Sequence, residues 1–370
     1  MKKISDNRKI NICIFSGDIS RPGGTERVAV FLANRLSENS LFHISIVSIT
    51  ESEQKPSFEI DSRIPRYTLS KKWVAPGPAY IRIIYRLYRL IREKKFDLII
   101  DVDTVLDILA LPCKWLTGIK VISWEHFNFS ASLGTVYRSW CRKAACRFSD
   151  YIVTLTERDA AMWREQGHPR CPVQAIHNPS NHMASYNENL QREKIILSAG
   201  WLVPLKGFED VILAASKIVP LYPEWKFYIV GKGQEEEKLL QMIRDYHLED
   251  HVFLKGFVED MAVLYQKASI YLMTSRVEGL PMVLLEAKYF RLPTVSYDIL
   301  TGPSDIILDN INGYLVPPQR IDLLIERLCQ LISDENLRAS FSRHAWDNIK
   351  DFDQDVILAQ WTELLEKLCP

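Results

Sequence analysis

Short apolar runs alternate with stretches of helical periodicity along the whole chain. In the first half the runs predict strands at Ile10–Phe15, His43–Ile49, Leu98–Val102, Lys120–Trp124 and Tyr151–Leu155. Apolar residues spaced for one face predict helices at Glu26–Leu36, Tyr80–Lys95 and Val136–Phe148. Alternation of this kind is typical of βαβ units that build a parallel sheet.

A second series of the same kind follows a polar stretch, Asn181–Glu193. It predicts strands at Lys194–Ala199, Lys226–Val230, Val252–Lys255, Ile270–Thr274 and Pro293–Tyr297, with helices between them. We therefore predict an α/β protein with two Rossmann-like, doubly wound domains, residues 1–180 and 181–352. The last helix, within 353–370, is expected to cross back onto the first domain. Ligands of such sheets bind at the carboxyl ends of the strands, so we expect a central cleft between the domains.

Composition agrees with two folded domains, because a chain of 370 residues with 47% apolar side chains is large for a single core. The net charge is zero, yet residues 1–180 carry 27 Lys and Arg against 18 Asp and Glu, and the remainder carries 19 against 28. A basic first half suits an anionic lipid surface or an anionic acceptor. A chance difference between two solvated surfaces explains the same numbers. No nucleic-acid partner is expected.

Seven cysteines are scattered without a CxxC pair, which favours a reducing compartment over a disulfide framework. The polar first residues and the short apolar run after them are not expected to form a signal peptide. No apolar run reaches the length that crosses a bilayer. We expect a cytoplasmic protein whose contact with the inner face of the membrane is peripheral.

The segment from Ser275 to Glu286 carries the strongest chemical signal in the chain. It places Glu278 on a Gly-Pro turn, and Glu286 follows eight residues later in the helix that the turn opens. Pro281 suits the first turn of a helix, where free N–H groups and the helix dipole favour a phosphate. Hydroxyl-binding acids on both sides of anion-binding donors are the set that a sugar nucleotide requires.

Three further segments of the second half follow predicted strands. Lys206 follows the first strand and offers a point charge to a diphosphate, although loop lysines are usually only solvated. Gly231 belongs to a Gly-Lys-Gly turn after the next strand. Gly256 and Phe257 follow the third strand, where backbone groups and an aromatic face can meet a nucleobase.

Two strand ends of the first half also carry candidate chemistry. Gly23 and Gly24 precede the first helix, and adjacent glycines let a ligand approach the backbone. A flexible turn before a capped helix explains them equally well, and the spacing is not that of a dinucleotide site. His126 follows the fourth strand and can bond a sugar hydroxyl or the charge on a leaving phosphate. A packed, satisfied histidine is the alternative.

Two other patterns have a structural and a functional interpretation. Tyr80–Lys95 carries four arginines at near-helical spacing and can lie on anionic lipid, but packing of its apolar side on the sheet is the better interpretation. Asp101 and Asp103 resemble a DxD metal motif, yet they end a strand far in sequence from the nucleotide-binding candidates. The chain has no HExxH motif, and neither a metal nor another cofactor is expected.

Taken together, these residues resemble glycosyltransferase family 4, a large family of retaining enzymes with the GT-B fold. The spacing of Glu278 and Glu286 matches the EX7E motif of that family. The order of Gly200–Gly207, Val230–Gly233, Leu254–Asp260, Thr301–Ile307 and Asn312–Pro317 supports the match. The Gly-Gly-Thr-Glu-Arg loop and the Tyr297–Ile307 segment are most similar to bacterial enzymes of surface-polysaccharide assembly, such as lipopolysaccharide or capsule, many of which use UDP-linked hexoses or N-acetylhexosamines.

The resemblance implies a role for each candidate residue. Glu278 would contact hydroxyls of the donor sugar, with His126 nearby, and Lys206 would bind the phosphates. Glu286 would hold the ribose. Gly23 and Gly24 would admit the acceptor or a phosphate. The turn residues that would face the phosphates and sugar are Gly279, Leu280, Pro281, Met282 and Val283. The family generally needs no metal.

One residue departs from the family pattern. Trp201 stands where the family often has Arg, so half of an Arg-Lys phosphate clamp is missing, and Arg276 or Lys232 is a candidate to compensate. The predicted activity is the transfer of a hexose or N-acetylhexosamine from a UDP-linked sugar to a glycan acceptor on polyprenyl diphosphate, with retention of the anomeric configuration. The alternatives are a nicotinamide-dependent oxidoreductase with tandem Rossmann domains, a non-catalytic sugar-nucleotide binder, and sucrose- or trehalose-type synthesis on soluble acceptors.

Overall fold

The computed structural model describes residues 9–180 and 191–369 and divides the chain into two compact units. One unit holds the described residues up to Asn178 together with those from Asp355 onward, and the other runs from Pro179 to Gln354. Most of the polar stretch at which the sequence predicts the second domain to start, residues 181–190, lies outside the described residues.

The first unit is built on a parallel sheet with the strand order β3-β2-β1-β4-β5-β6-β7. Its strands are β1 (Ile10–Ser16), β2 (Phe42–Ser48), β3 (Arg66–Thr68), β4 (Leu98–Val102), β5 (Lys120–Trp124), β6 (Tyr151–Thr154) and β7 (Val173–Ala175). Its helices are α1 (Gly24–Ser37), α2 (Tyr80–Lys94), α3 (Asp107–Thr117), α4 (Val136–Phe148) and α5 (Glu157–Met162). A doubly wound sheet of this order has its switch point between β1 and β4.

The second unit repeats the design with the order β10-β9-β8-β11-β12-β13, again parallel. Its strands are β8 (Ile195–Ala199), β9 (Lys226–Val230), β10 (Val252–Leu254), β11 (Ile270–Met273), β12 (Thr294–Tyr297) and β13 (Gly313–Val316). Its helices are α6 (Phe208–Ile218), α7 (Glu236–Asp245), α8 (Met261–Lys267), α9 (Met282–Tyr289), α10 (Pro303–Ile306), α11 (Ile321–Ser333) and α12 (Glu335–Arg343). The two Rossmann-like domains expected from the hydrophobic pattern are therefore present.

The last helix, α13 (Gln354–Leu368), packs on the first unit, as the sequence predicts. Trp361 of α13 is buried against Trp124 at the end of β5, with ring centroids 4.8 Å apart in an edge-to-face arrangement. Arg35 of α1 also bonds Asp355 at the start of α13, at 2.8 Å. An aromatic pair of this geometry adds about 0.5–1.5 kcal/mol beyond its area.

Helix α2 packs its apolar side on the sheet, which is the interpretation that the sequence favoured over lipid contact. Its apolar stripe, formed by Ile83, Leu87 and Ile91, is buried in the same core as β1 and β4. The stripe is therefore covered by the sheet, and the exposed side of the helix carries Arg82 and Arg89 together with Ile81 and Tyr85. The residues between 9 and 180 and between 191 and 369 contain no helix of the length and hydropathy that would span a bilayer.

Candidate active site

The Gly-Pro turn joins the end of β11 to α9; Glu278 lies on the turn and Glu286 lies in the helix. Glu278 and Glu286 are buried, with 8% and 7% of their surface exposed. Helix α9 begins at Met282, and its N-cap residue Pro281 provides no side-chain cap. The first N–H groups of a helix have no intrahelical acceptor, so this uncapped start retains donors for an anion.

The structure brings Lys206 and Glu278 together although they are far apart in sequence. Lys206 Nζ lies 2.5 Å from Glu278 Oε1, and both side chains are largely shielded. Lys206 ends a short 3-10 turn whose loop is bonded to the end of β11 through Thr274 Oγ1, which donates to the Lys206 carbonyl at 3.1 Å. The next residue, Gly207, has a φ of +62°, and a Cβ there would lie 2.4 Å from the Thr274 carbonyl oxygen. Glycine therefore permits the approach that places Lys206 beside the acid.

Two tyrosines that the sequence did not single out complete the acid pair. Tyr265 of α8 donates its hydroxyl to Glu286 Oε2 at 2.8 Å, in a buried contact. Tyr271 of β11 lies near both acids: burial raises the pKa of its phenol, and the charges of Glu286 and Glu278 raise it further. The hydroxyl of Tyr271 accepts a bond from the Ala199 N–H at 3.2 Å. Glu278 and Glu286 thus both lie near the neutral phenol of Tyr271, close to the ends of β8 and β11.

A second turn supports the first from behind. Thr301 Oγ1 donates to the Glu278 carbonyl at 2.7 Å. Gly302 has a φ of +99°, and a Cβ there would lie 2.5 Å from Pro281 Cδ and 2.8 Å from the Gly279 carbonyl oxygen. The Thr-Gly-Pro segment before α10 therefore fixes the backbone of the turn that carries Glu278.

The glycines after β8, β9 and β10 form a ladder of backbone contacts. The N–H of Gly231 donates to the Gly256 carbonyl at 2.9 Å, and a Cβ at Gly231 would lie 1.8 Å from the Gly200 carbonyl oxygen. A Cβ at Gly200 would contact the Lys206 side chain at 3.5 Å. Gly231 is therefore explained by close packing of neighbouring strand ends, which brings this ladder next to Lys206. Phe257 follows it with 61% of its surface exposed.

The residues proposed to replace the missing arginine behave differently from one another. Arg276 Nη2 donates to Glu209 at 2.9 Å and lies 3.6 Å from Asp210, so it pairs with two acids at the start of α6. Trp201 is half-exposed and Lys232 is exposed close to Gly256. Lys206, by contrast, lies directly beside Glu278.

His126 of the first unit is buried against Trp124, with ring centroids 4.4 Å apart. Burial lowers the pKa of its imidazole to about 4; Glu125 opposes this shift and Arg138 reinforces it. The ring is therefore neutral at physiological pH. Its Nε2 atom is buried and makes no hydrogen bond within the described part of the chain. A buried imidazole nitrogen without a partner is costly in a packed core and favours a role in binding over the packed, satisfied alternative.

A network of buried charges surrounds His126, and the sequence reasoning did not find it. Glu125 Oε2 accepts from Arg142 Nε at 2.8 Å and from Thr104 Oγ1 at 2.7 Å. Burial raises the pKa of Glu125, but the two arginines outweigh it and the pKa is lowered overall. Arg138 pairs with Asp103, whose backbone adopts a φ of +90°. Both arginines project from α4, so the network fixes the position of β5 relative to that helix.

Asp103 belongs to this network, whereas both carboxyl oxygens of Asp101 are buried without a hydrogen-bond partner in the described part of the chain. Asp103 pairs with Arg138, and burial followed by the charge of Asp107 raises the pKa of Asp101 well above its usual range. Two adjacent buried carboxyls are most stable when they share a proton. Among residues 9–180 and 191–369, no group of three or more His, Cys, Asp or Glu side chains has an arrangement that would hold a metal ion.

At the start of α1, Gly23 lies against a neighbouring acid. A Cβ there would lie 2.1 Å from Glu26 Oε2, because the Glu26 side chain folds back over the N-terminus of the helix. Arg21 Nη2 bonds the same carboxylate at 2.6 Å. Gly24 is the first residue of the helix. The carboxylate makes this turn better suited to a hydroxyl than to a phosphate.

Comparison with known proteins gives a consistent family. Residues 183–347 match the family described as glycosyl transferases group 1, and residues 22–182 match glycosyltransferase family 4. An uncharacterized glycosyltransferase of Haemophilus influenzae is 30% identical over 96% of this chain and 99% of its own length. The amylovoran biosynthesis glycosyltransferase AmsD of Erwinia amylovora is 29% identical over 96% of this chain and 99% of its own.

Two further matches differ in what they show. A Campylobacter jejuni N-acetyl-D-galactosaminyltransferase, whose name gives an acceptor glycan on PP-undecaprenol, is 26% identical over 94% of this chain and 96% of its own. The crystal structure of Anabaena HepE in complex with UDP superposes with a TM-score of 0.81, covering 97% of this chain and 100% of that one. At 17% identity, that likeness shows the fold alone.

Proposed function

Since the chain belongs to glycosyltransferase family 4 and is a glycosyltransferase of bacterial glycan biosynthesis with the GT-B fold, we propose the reaction that it catalyses. It moves a hexose or N-acetylhexosamine from a UDP-sugar, with retention of the anomeric configuration. The acceptor is a growing glycan on polyprenyl diphosphate, reached from the cytoplasmic side of the membrane by a peripherally bound enzyme. Because the chain belongs to this family of glycosyltransferases, the two main alternatives, a nicotinamide-dependent oxidoreductase and a non-catalytic binder, are set aside.

The arrangement of Glu278, Lys206 and Glu286 is the observation that carries this proposal. Glu278 has a cation on one oxygen and lies at the uncapped start of α9, while Glu286 lies on the same helix and is oriented by Tyr265. In the proposed complex Glu278 binds hydroxyls of the donor sugar and Glu286 binds the ribose. Lys206 and the N–H groups of the turn then lie at the diphosphate between them.

In the proposed reaction, the bond between C1 of the sugar and the diphosphate oxygen breaks as the acceptor oxygen bonds C1 on the same face. The acceptor proton passes to the departing diphosphate, which carries away the bonding electron pair. Negative charge grows on the diphosphate, where Lys206 and the start of α9 supply fixed positive potential. Donors of this kind each contribute about 10²- to 10³-fold in rate.

The first unit is proposed to serve the acceptor and the sugar. His126 presents a neutral Nε2 that can bond a sugar hydroxyl. The Gly23-Gly24 turn admits an acceptor hydroxyl beside the Glu26 carboxylate. The name of the Campylobacter relative supports a polyprenyl-diphosphate acceptor, and that of the Erwinia relative supports surface polysaccharide.

A donor screen followed by product analysis tests the proposal. Thermal shift with UDP-, GDP- and ADP-sugars should give the largest rise in melting temperature with a UDP-sugar, because ligand binding stabilises the folded state. The same donor is then incubated with a polyprenyl-diphosphate glycan and with soluble sugars, and the anomeric configuration of the product is read by NMR.

The variant Glu278→Gln tests the proposed role of this acid in the same transfer assay. It is expected to lower transfer by about 10²-fold or more. Glu236→Gln, an exposed position on α7, is the matched control and should not change the rate. Transfer to soluble sugars alone, an inverted product, or full activity of Glu278→Gln would each refute part of the proposal.

A further inference from the structure

Helices α2, α3 and α4 of the first unit pack side by side, and α3 and α4 expose large apolar side chains. On α3, Ile108, Trp115 and Leu116 are exposed, at the spacing of one helix face. On α4, Val136 and Trp140 are exposed, one turn apart. We call these five residues the aromatic face.

The two helices form one continuous surface. The Trp115 ring packs edge-to-face on Phe148 at the end of α4, with centroids 5.0 Å apart. Lys114 Nζ donates to the Phe148 carbonyl at 2.6 Å, and Tyr137 donates its hydroxyl to the Val105 carbonyl at 3.1 Å. Bonds at both ends therefore hold α4 alongside α3.

Large apolar side chains in these numbers are unusual on a soluble surface. Trp115 and Trp140 expose 63% and 67% of their surface, and Leu116 and Val136 expose 67% and 72%. Contiguous exposure of this kind marks a surface that another molecule covers.

The charge around the aromatic face selects the partner. The acids between residues 104 and 150 are Asp107 and Glu125, which are fully buried, and Asp150, which pairs with Lys114 and Lys120. The exposed charges of the same segment are basic and include Lys143 and Arg147. On α4 these two continue the outward stripe that Val136 and Trp140 begin, so apolar and basic side chains share one surface.

We propose that the aromatic face is the membrane-docking surface of this enzyme and that it binds bilayers rich in anionic phospholipid. Tryptophan side chains favour the interface between headgroups and acyl chains, and basic side chains favour anionic headgroups. The inference rests on the proposed peripheral membrane contact, but it is independent of the donor and acceptor chemistry. It also places lipid contact on α3 and α4; for α2, the sequence offered lipid contact only as the alternative to packing on the sheet.

Vesicle flotation without any substrate tests this surface directly. Wild-type protein should float with vesicles that contain phosphatidylglycerol and remain behind with vesicles of phosphatidylcholine alone. Trp115→Ser with Trp140→Ser should reduce the bound fraction at least about tenfold. Lys143→Glu with Arg147→Glu should also reduce it by at least about tenfold, since each basic side chain near an anionic surface contributes roughly fivefold.

Leu221→Ser with Tyr246→Ser is the matched control, because both residues are exposed apolar side chains of the second unit. It should float like the wild type. The charge variant keeps the tryptophans, so it tests the surface even if the tryptophan variant folds poorly, which circular dichroism reveals. Thermal shift by UDP-sugars reports the donor site separately, so loss of flotation with an unchanged shift supports docking.

Two results would overturn the proposal. In one, the wild type does not float with anionic vesicles, or the tryptophan variant floats as well as the wild type. In the other, the tryptophan variant converts a dimer into a monomer in analytical ultracentrifugation and leaves flotation unchanged. The aromatic face would then be a contact between two copies of the chain.

Discussion

Lys206 Nζ and Glu278 Oε1 lie 2.5 Å apart, although a whole βαβ unit and more separates the two residues in the chain. The pair holds a cation at the turn where α9 begins. In the proposed reaction, this lysine keeps positive charge where the leaving diphosphate lies.

The first prediction concerns the coupling within this pair. Lys206→Met should lower kcat/KM about 10²-fold, because it removes a cation from the proposed transition state. The double variant with Glu278→Gln should lose less than the sum of the two single losses, by about 0.5–3 kcal/mol. Steady-state kinetics of the four proteins measure the coupling.

A second lysine-glutamate pair provides the control for that cycle. Lys238 and Glu235 lie 2.7 Å apart on the surface of the second unit. Exposed pairs of this kind contribute about 0.2–1 kcal/mol to stability, so Lys238→Met should leave transfer unchanged. Strict additivity in the Lys206–Glu278 cycle would show that the two side chains act separately.

The second prediction concerns Tyr265, whose hydroxyl orients Glu286. Tyr265→Phe keeps the stack on Phe290, whose centroid is 5.6 Å away, and removes only the hydrogen bond. A bond to a charged group contributes about 1.5–3 kcal/mol, so the KM for the donor should rise about tenfold or more with kcat little changed. Tyr246→Phe, at an exposed tyrosine, is the control. An unchanged KM with a reduced kcat would contradict a ribose-binding role for Glu286.

The strands show most clearly how much of the fold can be predicted from the sequence. The bounds of β4, β5 and β9 agree with the prediction, because each of these central strands is a short, mostly apolar run of five residues. The strands that were not predicted, β3, β7 and β13, are all outermost in their sheets and only three or four residues long. An edge strand is paired on one side only and needs no long apolar run, so its sequence resembles a loop.

The same contrast holds at the site. The turn with Glu278 and Glu286 is local, so its spacing is visible in the sequence. The pairing of Glu125 with Arg142, or of Tyr265 with Glu286, depends on how a helix packs on a distant strand. No periodicity encodes that, and the buried network around His126 was therefore missed.

The third prediction tests the support behind the turn. Gly302→Ala should destabilise the second unit by at least about 1 kcal/mol, because the residue has a positive φ and a Cβ would meet Pro281 and Gly279. The activity should fall as well, since Thr301 holds the Glu278 carbonyl. Gly17→Ala is the control, because nothing lies within 4 Å of its Cβ position. Equal melting temperatures for the two variants in calorimetry would remove the steric argument.

The fourth prediction is a pH dependence that arises from Lys288. This buried lysine donates to the Ile306 carbonyl and to Asn348 Oδ1, each at 2.7 Å. Burial lowers its pKa to about 7, against a small opposing effect of Asp347. Between pH 7 and the ordinary lysine pKa, the unfolded chain is protonated at this position and the folded chain is not. Stability from this residue therefore increases as the pH rises through that range.

Lys288→Met removes this titration. The melting temperature of the wild type, relative to that of Lys288→Met, should increase steadily from pH 7 to pH 10. Lys217→Met, at an exposed lysine of α6, should show a constant difference. A difference for Lys288→Met that is equally constant over this range would show that the buried amine keeps its proton.

The return of α13 to the first unit has a consequence for how the protein is made. The first unit emerges from the ribosome first, yet the helix that supplies Trp361 is translated only after the whole of the second unit. Trp124, next to His126, therefore has no such neighbour until the second unit has been made. The nascent first unit remains unfinished while the second is made, and a premature stop near residue 354 would leave that gap permanently open.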